Sequence, residues 1–306
     1  MAQSGEITDV AVAAGGKGTA VAAAIVQFQK ANVMAQCITM QAAPQGNAVV
    51  RFPVYTKWSS GTVDPTMSAN AEGADAALTD VETTAVDVTP IRYGLYAQIT
   101  DLSSFVNADA VMVHAGQLLG NQLARVFDEK IAALFDGFSN ESNLTTDLIR
   151  MDQIWGAVAS LEENDAPKPY HCVLHPLQMW GAFGLSKELG SGTAAIVADV
   201  SHGSLNTASN PVSDQYYNNG VVTKLGPITF YTSSAVNSTS DQHIGAMFSS
   251  DAIGCGYIDL GGGSMIEIKS GRDEPAALTE LVGNAYFASS ELVDVYGVEI
   301  KTETST

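Results

Sequence analysis

Residues 108–135 read ADAVMVHAGQLLGNQLARVFDEKIAALF, and this stretch decides the fold. It holds no proline, and Gly116 and Gly120 are its only weak points as a helix. Val111, Ala115, Leu118, Leu119, Leu123, Val126, Phe127, Ile131, Leu134 and Phe135 recur at spacings of three and four, the period of one helical face. Asn107 is placed to cap the start, Asp109 suits the positive end of the helix dipole, and Gly137 is placed to end it. Such a helix would run about 42 Å. That is far longer than an average globular helix, so it should span the whole domain as its backbone.

Downstream, Leu148, Met151, Ile154, Trp155, Val158 and Leu161 form the apolar side of a second helix. Thr146 can cap it, and Asn164-Asp165-Ala166-Pro167 ends it. Tyr170–Leu174 reads as a short strand, and Pro176 suits the first position of a helix running to Phe183. Residues 190–220 are rich in Gly, Ser, Asn, Thr and Asp and read as loop. Beyond Val221 strands prevail, at 221–224, 228–231, 243–248, 256–258, 265–269, 280–288 and 292–301.

Upstream, Val21, Ile25 and Phe28 place a helix over 20–35, and Gln41–Gly46 breaks the chain. Residues 48–55 read as a strand that Pro53 makes either an edge strand or a bulged one, and 85–100 as another. Between them Thr56–Thr84 is polar and acidic, with Gly61, Pro65, Gly73 and the acids Asp64, Glu72, Asp75, Asp80 and Glu82. So long an excursion is uncommon in a compact domain and usually functional; it reads as an extended hairpin arm. Residues 1–19, rich in Gly and Ala, read as a tail.

The chain of 306 residues allows one large domain or two. Hydrophobic residues make up 46%, enough for a substantial core, but only 15% are charged, against roughly 25% in an average soluble domain. Low charge with ordinary apolar content points to a surface covered by other molecules, as in an assembly. The net charge of −19 repels phosphate and disfavours sequence-independent nucleic-acid binding. Lys17, Lys30, Arg51 and Lys57 outnumber Glu6 and Asp9 in residues 1–60. That is either a tail that docks on acidic neighbours or chance in a charge-poor segment. Cys37, Cys172 and Cys255 are too far apart for a disulfide framework and fit a reducing cytoplasm. The start has no basic secretory region and the apolar run Ala20–Val26 is too short to cross a bilayer, so a soluble, non-membrane protein is expected.

Catalytic signatures are missing. Gly15-Gly16-Lys17-Gly18 lacks P-loop spacing, and Gly261-Gly262-Gly263 reads as a turn. The cluster most like an enzyme's is His171-Cys172-Val173-Leu174-His175, which would suit a thiol nucleophile or a metal pair. Strand neighbours face opposite ways, however, which separates His171 from Cys172. Arg125 is spaced to pair with Asp128 or Glu129, on the helix surface or across a subunit contact. Lys57 and Trp58 stand at the root of the polar arm, where Trp58 could anchor on a neighbour or pack locally. No catalytic, cofactor-binding or metal residue is expected. The subunit-contact candidates are Lys57, Trp58, Arg125 and Asp128.

The order of elements resembles the Hong Kong 97-type fold of tailed double-stranded DNA phage major capsid proteins. Leu123-Ala124-Arg125-Val126-Phe127-Asp128-Glu129-Lys130-Ile131-Ala132, followed by Gly137, is similar to the end of that fold's spine helix. Tyr170–Pro176 resembles its axial strand-then-helix step, and Lys224–Phe230 the strand leading back out. Ala285-Tyr286 and Tyr296–Ile300 are similar to its closing strands. The resemblance spans nearly the whole chain and implies an α+β fold. Its parts would be an N-terminal arm (1–46), an extended β-hairpin loop (47–100), a peripheral domain with the spine helix (101–146), an axial domain (147–260) and peripheral return strands (261–306).

The resemblance further implies a non-enzymatic major capsid protein. Copies would form pentamers and hexamers in an icosahedral head around DNA bound without sequence specificity, after assembly in the bacterial cytoplasm. Residues 56–84 would lie over one neighbour and 1–46 would clasp another. Scaffolding, portal and possible decoration proteins would be partners. An encapsulin-type shell shares the fold, and a Cys–His hydrolase built on Cys172 is the alternative from another class.

Overall fold

The computed structural model describes residues 17–44, 46, 48–54, 72, 84–106, 111–142, 149–180, 185, 221–236, 238–239, 242–260 and 264–303. Helix α1 (Lys17–Ala31) leads through a 3-10 turn (Met34–Gln36) into strand β1 (Thr39–Ala42). Strands β2 (Val50–Val54), β3 (Thr84–Val88) and β4 (Ile91–Thr100) follow, then α2 (Asp101–Val106) and α3 (Val111–Ala132). After a 3-10 turn (Phe135–Gly137) come β5 (Glu141–Ser142), α4 (Met151–Glu163), β6 (Tyr170–Leu174) and α5 (Pro176–Trp180). The remaining strands are β7 (Val221–Leu225), β8 (Ile228–Thr232), β9 (Ser238–Thr239), β10 (Gln242–Ser249), β11 (Ile253–Tyr257), β12 (Ile266–Asp273), β13 (Leu278–Glu291) and β14 (Gly297–Glu303).

The long helix is thus present as α3 but shorter than its apolar pattern. Its 22 residues rise about 33 Å. The last turns tighten instead of continuing: Leu134 N donates to Ile131 O and Gly137 N to Leu134 O, both at 3.0 Å. Gly137 closes a 3-10 turn and is not left-handed; the left-handed glycines described are Gly46 and Gly226. Asn107 and Asp109, the expected start, lie outside the described residues, as does Thr146, the expected cap of α4. Arg150 takes the cap position instead, its N–H donating to Gln153 Oε1 at 3.0 Å.

The expected strand 85–100 is two strands that serve different sheets. β3 pairs antiparallel with β2, Arg51 opposite Asp87 and Pro53 opposite Ala85, so Pro53 does sit in an edge pair. After Thr89-Pro90, β4 pairs with β13 from Leu278↔Thr100 to Phe287↔Ile91. Pro90 has no N–H to give a ladder and holds Thr89 extended, which lets the chain leave one sheet for the other.

In the first large sheet β12 and β4 flank β13, and β11 and then β1 extend it. In the second the order is β5-β14-β10-β6-β8-β7, with β9 on β10. These memberships redraw the expected boundaries. β4 leaves the 47–100 hairpin, β5 and β14 join the strands of the 147–260 lobe, and β11 joins the first sheet. Residues 17–42, expected as an arm on another subunit, pack on their own chain: α1 lies along α3, and β1 runs parallel to β11.

Burial explains this architecture. One core gathers Phe28, Leu119, Leu123, Phe127, Ile131 and Phe135 from the helices with Cys255, Leu281, Ala285 and Phe287 from the first sheet. It also takes Val173, Tyr231, Ile244, Ala246 and Phe248 from one face of the second sheet. The opposite face sends Tyr170, Cys172, Leu174, Ile228, Phe230, Met247, Val298 and Ile300 into another core, against Ile154, Ala157, Val158 and Leu161 of α4. Strand β6 is therefore buried on both faces, and its alternate side chains enter different cores. The β2–β3 pair covers a third patch through Val50, Phe52 and Val88, with Val50 seated over Gly256 of β11.

Candidate functional site

Helix α3 sorts its polar residues by face. Arg125 Nε and Glu129 Oε1 pair at 2.7 Å on the exposed side, one turn apart. In water such a pair stabilises by only about 0.3–0.5 kcal/mol, so Arg125 is open to other contacts. Asp128, predicted as a companion surface contact, is turned inward and 3% exposed. Its Oδ1 accepts Met34 N at 3.2 Å and its Oδ2 accepts Val33 N at 3.3 Å. The periodicity that places Leu123 and Phe127 in the core carries Asp128 to the α1 side. Burial pushes its carboxyl up to about 7, with the two amides acting in the opposite direction. Asp128 is therefore an internal anchor. Lys57 and Trp58 lie outside the described residues.

Beside this anchor, α1 meets α3 with almost no side chain between them. A Cβ on Gly116 would collide with the carbonyl of Ala20, and one on Gly120 with that of Ala24. The two glycines that looked like weak points of the helix are thus its contact points. Gln27 Nε2 donates to Asn121 Oδ1 at 2.8 Å farther along.

The His–Cys cluster is dispersed as strand alternation requires. Cys172 is fully buried in the second core, and burial alone pushes its thiol well above the ordinary range. A thiol held protonated this firmly is no nucleophile. His171 turns to the first core, where its ring nitrogen Nε2 lies 3.1 Å from Ser250 Oγ. His175 ends the strand and stacks on His243. Gln178 pins α5 beside them: its Nε2 donates to His243 O at 3.0 Å and Thr302 Oγ1 at 2.8 Å, and its Oε1 accepts His175 N at 2.8 Å. Among the described residues no three His, Cys, Asp or Glu side chains gather as metal ligands.

The surface carries features that sequence periodicity missed. Leu118, assigned to the apolar face, is 69% exposed, and Leu102 on α2 is 73% exposed. Ile91 and Tyr96 of β4 and Leu177 and Trp180 of α5 are also exposed. Lys301 is ringed by acids, 2.9 Å from the buried Glu299, 3.3 Å from Glu141 and 3.7 Å from Asp136. Arg272 clasps Asp101 with two hydrogen bonds of 2.9 and 2.7 Å, tying α2 to the β12–β13 hairpin. No helix among the described residues is long and apolar enough to cross a membrane. Exposed apolar side chains on a charge-poor surface suit burial between subunits.

A sequence model of the family described as phage capsid protein matches residues 80–288, more than half of the chain. The chain belongs to the phage capsid protein family. Its place is the virion, where it builds the head as a major capsid protein. Solved structures share the capsid protein's fold. It is similar to the capsid of Ralstonia phage GP4, with a TM-score of 0.63 and 12% identity over 90% of this chain and 92% of that one. The capsid structure of cyanophage P-SCSP1u aligns with a TM-score of 0.60 and 15% identity over 90% and 89%. A chain of Gordonia phage Cozz aligns with a TM-score of 0.60 and 14% identity over 90% and 87%. No curated protein sequence matches this one.

Proposed function

We propose that copies of this capsid protein assemble as pentamers and hexamers into a closed icosahedral shell around the double-stranded DNA of a tailed phage. The observation that carries this reading is the family match over residues 80–288, which takes in the long helix α3 and most of the long strand β13 beside it. In a Hong Kong 97-type arrangement α3 would be the spine, and the first sheet would be the peripheral domain. The second sheet with α4 and α5 would be the axial domain, and β2–β3 with residues 55–83 the extended loop. Arg125, Leu118 and Leu102 would then meet neighbouring subunits, and Lys57 and Trp58 would anchor the loop. The acidic surface keeps the shell from adhering to its DNA. Assembly would take place in the bacterial cytoplasm with separate scaffolding and portal proteins, and with a decoration protein where the shell carries one. The protein would act without catalysis.

Negative-stain electron microscopy of the protein, expressed alone and with the genes that neighbour its own, tests this. Closed shells or five- and six-membered rings are expected. A monomer under every condition, even with a scaffold present, would overturn the assembly reading.

A further inference from the structure

Asp128 is the one ionisable side chain of α3 that the fold buries; His114, Arg125, Glu129 and Lys130 are exposed. It meets the amino-terminal segment just beyond α1, giving one oxygen to Val33 N and the other to Met34 N. That segment is a continuous strap. Ala20 and Ala24 seat it on Gly116 and Gly120, Gln27 ties it to Asn121, Asp128 holds its turn, and β1 extends it along β11. Pro44 and the left-handed Gly46 follow β1 and separate the strap from β2.

Among the described side chains, those facing Asp128 offer hydrogen bonds but no positive charge. Cys37 approaches from the strap, its thiol donating to the Val33 carbonyl at 3.7 Å, with the Tyr231 phenol of β8 as its neighbour in the core. Beyond Tyr231 stands the His171 ring of β6, 5.7 Å away, which is turned to Ser250. On α3 itself Arg125 is paired with Glu129 on the exposed side, and Lys130 lies over the Tyr93 ring of β4.

We propose that Asp128 is a pH-sensitive latch on this strap: protonated, it keeps residues 17–42 seated on α3 and β11; ionised, it favours their release. The seated strap shuts water away from the carboxyl, whereas a released strap lets water reach it. A carboxylate is costly in the first setting and well solvated in the second, and the proton it loses goes to solvent. The seated group titrates near 7, while a solvated aspartate titrates at about 3.9. Between those values release should become more favourable by up to about tenfold per pH unit, and above them it should level off.

Hydrogen exchange on the full-length protein at a series of pH values tests the latch, with rates corrected for the intrinsic pH dependence of exchange. Protection of peptides from 18–42, relative to peptides from 281–287, should fall by roughly tenfold to a hundredfold between pH 5 and pH 7. Asp128→Asn keeps an acceptor oxygen but cannot ionise, so its profile should be flat. Gln27→Ala loosens the same strap without touching the titrating group. It should lower protection at every pH and keep the wild-type slope. A flat wild-type profile, a slope surviving in Asp128→Asn, or a slope lost in Gln27→Ala would each overturn the proposal. Should Asp128→Asn fail to fold, the other two profiles decide the matter.

Discussion

The imidazoles of His175 and His243 lie face to face, their centroids 3.9 Å apart and their planes 10° from parallel. His175 Nδ1 accepts the Leu177 N–H at 3.2 Å, while both ring nitrogens of the buried His243 lack a hydrogen-bond partner. Burial, and then the neighbouring imidazole, pushes His175 down to about 4; burial pushes His243 down as well. Both groups bind protons more weakly folded than unfolded. Their contribution is therefore complete above the ordinary histidine value of about 6.5 and is lost as pH falls toward 4. Denaturant unfolding at pH 7, 5.5 and 4 should show His243→Phe neutral or more stable by up to about 1 kcal/mol at pH 7, with a shallower loss on acidification. An unchanged acid slope would mean that the pair does not titrate on unfolding.

The contact of Gly120 with Ala24 leaves no space for a methyl group. Gly120→Ala would improve helix propensity in isolation, by close to 1 kcal/mol. Here it should destabilise by about 1–3 kcal/mol, because two backbones must move apart. Chemical denaturation reads the net sign, and a stabilised variant would show that α1 does not sit on α3 in solution.

All three cysteines are buried, and burial pushes each thiol up, that of Cys255 to about 12. A thiol-reactive probe should label none of them in the folded protein and all of them in denaturant. Rapid labelling of Cys172 under native conditions would restore the nucleophile reading.

Among the described residues Arg125 pairs only with Glu129, on an exposed face. Arg125→Ala should change unfolding free energy by less than about 0.5 kcal/mol. If Arg125 also meets a neighbouring subunit, the same variant should assemble fewer shells by electron microscopy. Normal assembly would leave the residue an ordinary surface cation.

Local pattern carried much of the fold. The period of Leu119, Leu123, Phe127 and Ile131 does mark a buried helical stripe, and most of the strands after Val221 sit within a few residues of where alternation puts them. The same pattern overextended α3, because Leu134 and Phe135 continue the apolar spacing through a 3-10 turn that packs just as well. Leu118 fits the stripe by spacing and yet faces outward, since a period marks a face without saying what covers it. Asp128 misled for the opposite reason. Charge suggests a surface, and what buries it is a pair of backbone amides 94 and 95 positions away in sequence.

By itself the sequence determined most of the helices and strands, the arrangement of a long helix between an acidic excursion and a strand-rich return, and an acidic, charge-poor surface. Those properties follow from side-chain periodicity and composition, which are local. Only the tertiary structure decided that β4 and β11 belong to one sheet and β14 to the other, that β6 divides two cores, and that Gly116 and Gly120 receive α1. Those outcomes depend on which distant backbones approach closely enough to exclude water and share hydrogen bonds, and that pairing is written in no single stretch of chain.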